Sequence, residues 1–171
     1  VTPFATLVNG TFDFVRPMAY ARKVHRIPYG NGMRSVVRVL LNAPDVVREY
    51  NSHNGWDFVH DQVLPTYFGL RNSPWVPNYQ THVIGEGLIC RQMAEWYDYH
   101  GYPFPYLLGT LTTAGFQFMN ESVEYGHFRG DSVDPVADML IFNPIGWALF
   151  YFDPVARFFG ETMKFSSWSF Q

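Results

Sequence analysis

The chain has 171 residues, enough for one domain with a sizeable core, and a formal net charge of −3. Its one cysteine, Cys90, excludes an internal disulfide framework and a cysteine-rich zinc site. Aromatic residues reach 19% while charged residues stop at 16%, below the usual quarter. That balance favours burial of rings against lipid or a partner, and with no nucleic-acid motif present no nucleic-acid partner is expected.

Residues 1–32 read as an irregular N-terminal arm, broken by Pro3, Gly10, Pro17, Pro28, Gly30 and Gly32. The first 50 residues hold seven Lys/Arg against three Asp/Glu, a basic third suited to headgroups or an acidic partner. Residues 33–50 predict an amphipathic helix, with Val36, Val37, Leu40 and Leu41 on one side and a stop or kink at Pro44. Short helix or turns come next over 55–68, and a loop over 69–79. Residues 81–99 predict a helix whose first turns Gly85 and Gly87 weaken. After the break at Gly101–Pro105, residues 106–125 predict another, closed by Gly126 and uncharged from Leu107 to Met119. The tail from Phe165 to Gln171 has the mixed pattern of a strand.

The stretch 134–160 places a very apolar run between two copies of Asp-Pro-Val-Ala, at 134–137 and 153–156. Asp before Pro predicts a helix start, with the carboxylate capping free backbone N–H groups and Pro in the first turn, where its missing N–H costs nothing. Two capped helices are therefore expected, with a break or kink near Asn143-Pro144. No run reaches the roughly 20 apolar residues of a membrane span. Re-entrant or interfacial helices fit these lengths, as does a buried hairpin in a soluble core.

The candidate chemistry is acidic. Glu121 and Glu124 lie three apart and share a helix face, and Glu124 with His127 forms a Glu-x-x-His. Four-helix di-iron proteins use two such pairs plus two further Glu; here there is one, and Gly126 falls inside it. His82 and Glu86 share a face of another helix, so the metal-ligand candidates are His82, Glu86, Glu121, Glu124 and His127. The competing reading makes these residues structural, with Arg91 as partner of the glutamates, Asp134 and Asp153 as caps, and Asp138 as a buried carboxylate that must find Arg91, His82 or an acceptor on the Glu121 helix. No Gly-x-Ser-x-Gly and no phosphate loop is present, and no cofactor is expected. Trp75, Trp96, Tyr97, Tyr99, Trp147 and Tyr151 near helix ends suit an interfacial belt or ordinary core packing.

Asn78 to His82 (NYQTH), Gly85, Arg91, Glu95 to Tyr97, His100-Gly101, Asn120-Glu121 with Glu124, Asp134 to Asp138, Phe142 to Gly146 and Trp168 together carry a resemblance. The stretch from about Asn78 to Gln171 resembles an uncharacterised family of bacterial cell-envelope proteins, whose helical part precedes a segment expected to form an outer-membrane β-barrel. The resemblance implies a family-like helical core over 78–171, with no barrel segment expected within this chain, and a place at the outer membrane or its periplasmic face. Together these readings predict a single, mainly α-helical domain over 1–171, with amphipathic and apolar helices and long irregular loops, associated with a membrane or docked on a partner. The expected role is a non-catalytic structural or accessory subunit, bound to membrane lipid or a larger membrane protein assembly. The alternative is a metal- or carboxylate-dependent enzyme acting on an envelope lipid.

Overall fold

A computed structural model describes residues 2–13, 27–52, 55–64, 75–126 and 132–165. The described chain is mainly helical, as its composition and periodicity predict, and contains no strand among those residues. Its α-helices are α1 (Pro3–Asp13), α2 (Tyr29–Leu41), α3 (Ala43–Tyr50), the single turn α4 (Trp75–Pro77), α5 (Glu86–Tyr99), α6 (Pro105–Glu124), α7 (Asp134–Ala137), α8 (Asn143–Phe150) and α9 (Asp153–Arg157). Four wider π-helical turns interleave with them, at Val59–Val63, Asn78–Gly85, Asp138–Phe142 and Phe158–Thr162.

Helix α6 organises the rest. Its uncharged length touches α1, α2 and α5, so most of its circumference is covered. The hydroxyls it buries bond to its own backbone: Thr112 Oγ1 donates to the Leu108 carbonyl at 2.8 Å and Ser122 Oγ to the Phe118 carbonyl at 2.7 Å, which removes the cost of burying them. Two contacts require glycine for space. A Cβ on Gly109 would lie 2.8 Å from the Ala94 nitrogen and the Cys90 carbonyl oxygen of α5, and one on Gly32 would lie 1.8 Å from the Ser122 carbonyl oxygen. Helix α5 also packs on α8, and an apolar cluster joins Val39, Val46, Phe58, Val83, Val136, Ala137 and Phe142. Cys90 is fully buried in α5, as a core residue.

Several boundaries fall at the residues that predict them. Pro44 divides 29–50 into α2 and α3, and Pro105 opens α6. Helix α5 ends in a Schellman turn: the Tyr102 N–H donates to the Tyr97 carbonyl at 3.0 Å and the Gly101 N–H to the Asp98 carbonyl at 2.9 Å, with Gly101 at φ 74°.

Others differ. The arm expected to be irregular over 1–32 holds α1, eleven residues long, and the first turn of α2. Tertiary packing outweighs the local cost of Gly10 in α1: its face lies against the Phe116 ring of α6, and its carbonyl accepts from Asn120 Nδ2 at 2.9 Å. The expected loop over 69–79 ends early, at α4 and the turn from Asn78. At Asn143-Pro144 the helix changes type rather than breaking: the π-helical turn Asp138–Phe142 shifts the ladder by one residue and carries the chain into α8. The sharp bend comes later, at residues 151–152, where the stretch Asp134–Phe150 meets Asp153–Thr162 at 93°. The strand expected from Phe165 onward lies outside the described residues, apart from Phe165 itself.

Candidate functional site

Five segments bring polar side chains into one buried cluster. The π-helical turn Asn78–Gly85 supplies His82, α5 supplies Glu86, α6 supplies Gln117 and Glu121, the π-helical turn Asp138–Phe142 supplies Asp138, and α8 supplies Asn143. Glu86, Gln117, Glu121, Asp138 and Asn143 are all buried, Glu121 to 3% and Asp138 to 6% exposure. Two of the donors sit on π-helical turns, where the backbone is wound to re-aim side chains that an α-helix would point elsewhere.

The contacts form a chain. His82 Nε2 lies 3.4 Å from Asp138 Oδ2, and His82 Nδ1 lies 3.1 Å from Asn143 Oδ1. Gln117 Nε2 donates to Glu121 Oε1 at 2.9 Å. Among the described residues, Glu121 Oε2, Asp138 Oδ1 and Asn143 Nδ2 have no hydrogen-bond partner. The distance between His82 and Asp138 is that of an ion pair, but the electrostatics are not. Burial depresses His82 to about 4, against smaller upward pushes from its bond to Asn143 and the Asp134 charge. Burial, followed by the charges of Asp134 and Glu124, raises Asp138 to about 8. Glu121 is also held well above the ordinary carboxylate range, first by burial and then by the Asp138 charge. At neutral pH the contact is a carboxylic acid against a neutral imidazole. His82 Nδ1 has two amide neighbours, Asn143 Oδ1 at 3.1 Å and Gln117 Nε2 at 3.5 Å; the shorter contact calls for Nδ1–H as donor, which leaves Nε2 a bare acceptor facing Asp138 Oδ2 at 3.4 Å. Such a pair can pass a proton between its members; among the described residues no serine or cysteine is hydrogen-bonded to it.

The predicted site residues divide. His82, Glu86, Glu121 and Asp138 come together, and Asp138 finds His82, one of the partners its burial demanded. Glu124 does not share the surroundings of Glu121: its side chain is exposed, and although partial desolvation and the Asp134 charge push it up to about 7, solvent screens that push. His127 lies outside the described residues. Among the described residues no three His, Cys, Asp or Glu side chains are arranged to hold a metal ion.

Arg91 is not the partner of the buried glutamates. Its Nε bonds Glu95 Oε1 at 2.7 Å and its Nη2 bonds Asp153 Oδ1 at 2.6 Å, both of them exposed acids. Neither Asp134 nor Asp153 caps its helix. Both helices start where the Asp-Pro pairs predict, but no side-chain cap bond forms. Asp134 Oδ2 instead accepts from Tyr125 OH at 2.8 Å and from Ser132 Oγ at 3.0 Å. Sequence reasoning missed Gln117 and Asn143; the available signal was an amide set in a run without charge, where only a buried polar partner satisfies it.

Of the six belt aromatics, Trp96, Tyr97 and Tyr99 gather with His100 and Tyr102 at the end of α5, Trp96 stacking on His100 at 3.9 Å between centroids. Tyr151 packs edge-on against Tyr106 at 4.9 Å, and the Tyr106 hydroxyl donates to the Trp147 carbonyl. Comparison with family models, curated proteins and solved structures finds no match to this chain.

Proposed function

We propose that the chain is a non-catalytic accessory module of a bacterial cell envelope, held at a membrane surface by the outer face of the Asp134–Phe150 stretch. One observation carries this reading. Leu140, Ile145, Leu149 and Phe152 form a row of apolar side chains that are 50%, 44%, 41% and 59% exposed, and no charged residue occurs from Met139 to Phe152. The spacing of 145 and 149 puts them on one face of α8, and Phe152 follows at the bend, while Gly146 and Phe150 on the other face pack inward against Val83 and Gly87. An exposed row of this kind, without a charge to interrupt it, is the mark of an interaction surface.

Two further features agree. No single described helix is long and apolar enough to cross a membrane, but Asp134–Phe150 and Asp153–Thr162 together have the length and composition of a bent, re-entrant pair. At the α5–α6 turn, Tyr99, Tyr102 and Phe104 are exposed, and Phe104 is held at φ 53°, an unfavourable backbone for a bulky residue. Exposed rings of this type settle at the headgroup level of a bilayer. Arg34 and Arg38 of α2 are also exposed and give that helix a positive surface, which suits anionic headgroups or an acidic partner.

Co-sedimentation with vesicles tests this. The chain is expected to pellet with phosphatidylethanolamine–phosphatidylglycerol vesicles, and the pair Ile145→Glu with Leu149→Glu is expected to lower binding at least about tenfold with little change in melting temperature, since both sites are surface positions. A chain that stays monomeric without detergent, binds no hydrophobic dye and ignores vesicles refutes the reading. The second reading, a carboxylate-based enzyme acting on an envelope lipid, draws its support from the acid–imidazole contact of Asp138 and His82. It requires Asp138→Asn to remain folded and lose a measurable turnover of lipid.

A further inference from the structure

We propose that the buried cluster is a proton-held clasp: Asp138 and Glu121 stand as neutral carboxylic acids, Asp138 donates its proton to His82, and ionisation of the two acids in alkaline solution frees the Asp134–Phe150 stretch from α5 and α6.

Geometry carries the inference. A buried carboxylate needs two or three donors or a cation to remain ionised. Among the described residues Glu121 has one donor, Gln117, and its Oε2 has none; Asp138 meets only His82, and its Oδ1 has none. No described Lys or Arg lies at ion-pair distance from either. The ionisable groups on the surrounding elements deepen the demand for protons. The π-helical turn Asn78–Gly85 presents His82, α5 presents Glu86, α6 adds Glu124 with Tyr125 just beyond its end, and α7 adds Asp134. Helix α8 has no ionisable side chain, and α1 has none from Pro3 to Phe12. Helix α2 contributes Tyr29 and the exposed Arg34 and Arg38. The turn Val59–Val63 contributes the exposed His60 and the half-buried Asp61, which accepts from Tyr50 OH at 3.2 Å. The charges that reach the pair are those of acids, and they all push its protons on.

The clasp spans the right joints. His82 and Asn143 tie the turn before α5 to the start of α8, and Asp138 against His82 ties the preceding turn to the same place. Loss of the Asp138 proton would set a carboxylate beside Glu121 and against His82, which meets it only by moving its own proton from Nδ1 to Nε2 and giving up the bond to Asn143 Oδ1. An acid that holds its proton more tightly in the folded chain than in the unfolded one lowers stability as the pH passes its unfolded value, near 4 for Asp, and the loss is complete above its folded value, about 8 for Asp138. The clasp works in the same way whether or not the exposed row meets lipid.

Thermal melts of the full chain from pH 5 to 9, with hydrogen exchange corrected for the intrinsic rate, test it. The wild type is expected to lose about 5–10 °C between pH 6 and 9, and protection over 138–150 is expected to fall before that of α5 and α6. The double variant Glu121→Gln, Asp138→Asn is expected to lose less than half as much. If it fails to fold, the wild-type exchange pattern alone decides. A melting temperature flat from pH 6 to 9, a slope that persists in the double variant, or uniform loss of protection overturns the clasp. So does recovery of the alkaline melting temperature on adding manganese or zinc, which would make the acids cation ligands instead.

Discussion

The two Asp-Pro-Val-Ala segments are identical in sequence and opposite in fate. At 134–137, Pro135, Val136 and Ala137 are buried and the Asp134 carboxylate receives two hydroxyls; at 153–156, no residue of the helix is buried and Asp153 forms a surface ion pair with Arg91. Both start helices, because Pro in the first turn and an acid near the N-terminus favour a start wherever they fall. The neighbours set the path of the chain beyond each start. The first copy runs into the π-helical turn that delivers Asp138 to His82, and the second runs out along the surface. A motif that reads as one signal therefore marks two different kinds of site.

This contrast can be broken most forcefully through pH. His82 is held neutral down to about 4, whereas unfolded histidine takes its proton near 6.5, so the histidine's share of stability is absent below about 4 and complete above about 6.5. The wild type is expected to gain on the order of 3 kcal/mol over His82→Gln as the pH rises through that window. Asp153→Asn, at the other copy, is expected to track the wild type throughout. Denaturant titrations at pH 4 and 7 would check both; equal pH dependence of the wild type and His82→Gln would remove the buried neutral imidazole from the account.

Volume sharpens the same contrast. Ala137 is fully buried, while Ala156 at the matching position is part-exposed in a helix without a buried residue. Ala137→Leu is expected to cost about 1–3 kcal/mol through overpacking, and Ala156→Leu less than about 0.5 kcal/mol. Similar losses at both sites in urea unfolding would show that the second copy is buried too.

The smallest difference expected is between the aspartates themselves. Asp134→Ala removes one of the two acceptors of the buried Tyr125 hydroxyl and leaves it Ser132 Oγ, for a loss of about 0.5–1.5 kcal/mol, and Asp134→Asn restores most of it by keeping an oxygen in place. Asp153→Ala removes one exposed ion pair, for about 0–1 kcal/mol. Equal losses on replacing either Asp by Ala, with Asn rescuing both, would instead point to two caps of the ordinary kind.

How much was legible depends on whether a residue's role is local. Pro44, Gly101, Pro105 and the Asp-Pro pairs act on their own backbone, so the boundaries they predict appear in the structure. Asp138 was legible as a problem, since a lone acid in an apolar run needs a partner. Its partner was not, because His82 lies 56 positions away and reaches it only through a π-helical turn that no local pattern announces. Helix α1 was hidden for the same reason. Its case rests on Phe116 and Asn120, which are more than a hundred residues distant.

By itself, then, the sequence determined a helical chain, where most of its helices begin and end, and that a few acids had to be buried among apolar side chains. Those are consequences of backbone sterics, hydrogen-bond geometry and composition, which each residue carries with it. Only the tertiary structure decided that Asp134 answers hydroxyls, that Asp153 answers Arg91, and that Asp138 and Glu121 share one buried cluster with His82. Desolvation and charge proximity are properties of the assembled neighbourhood, and they do not exist until the helices meet.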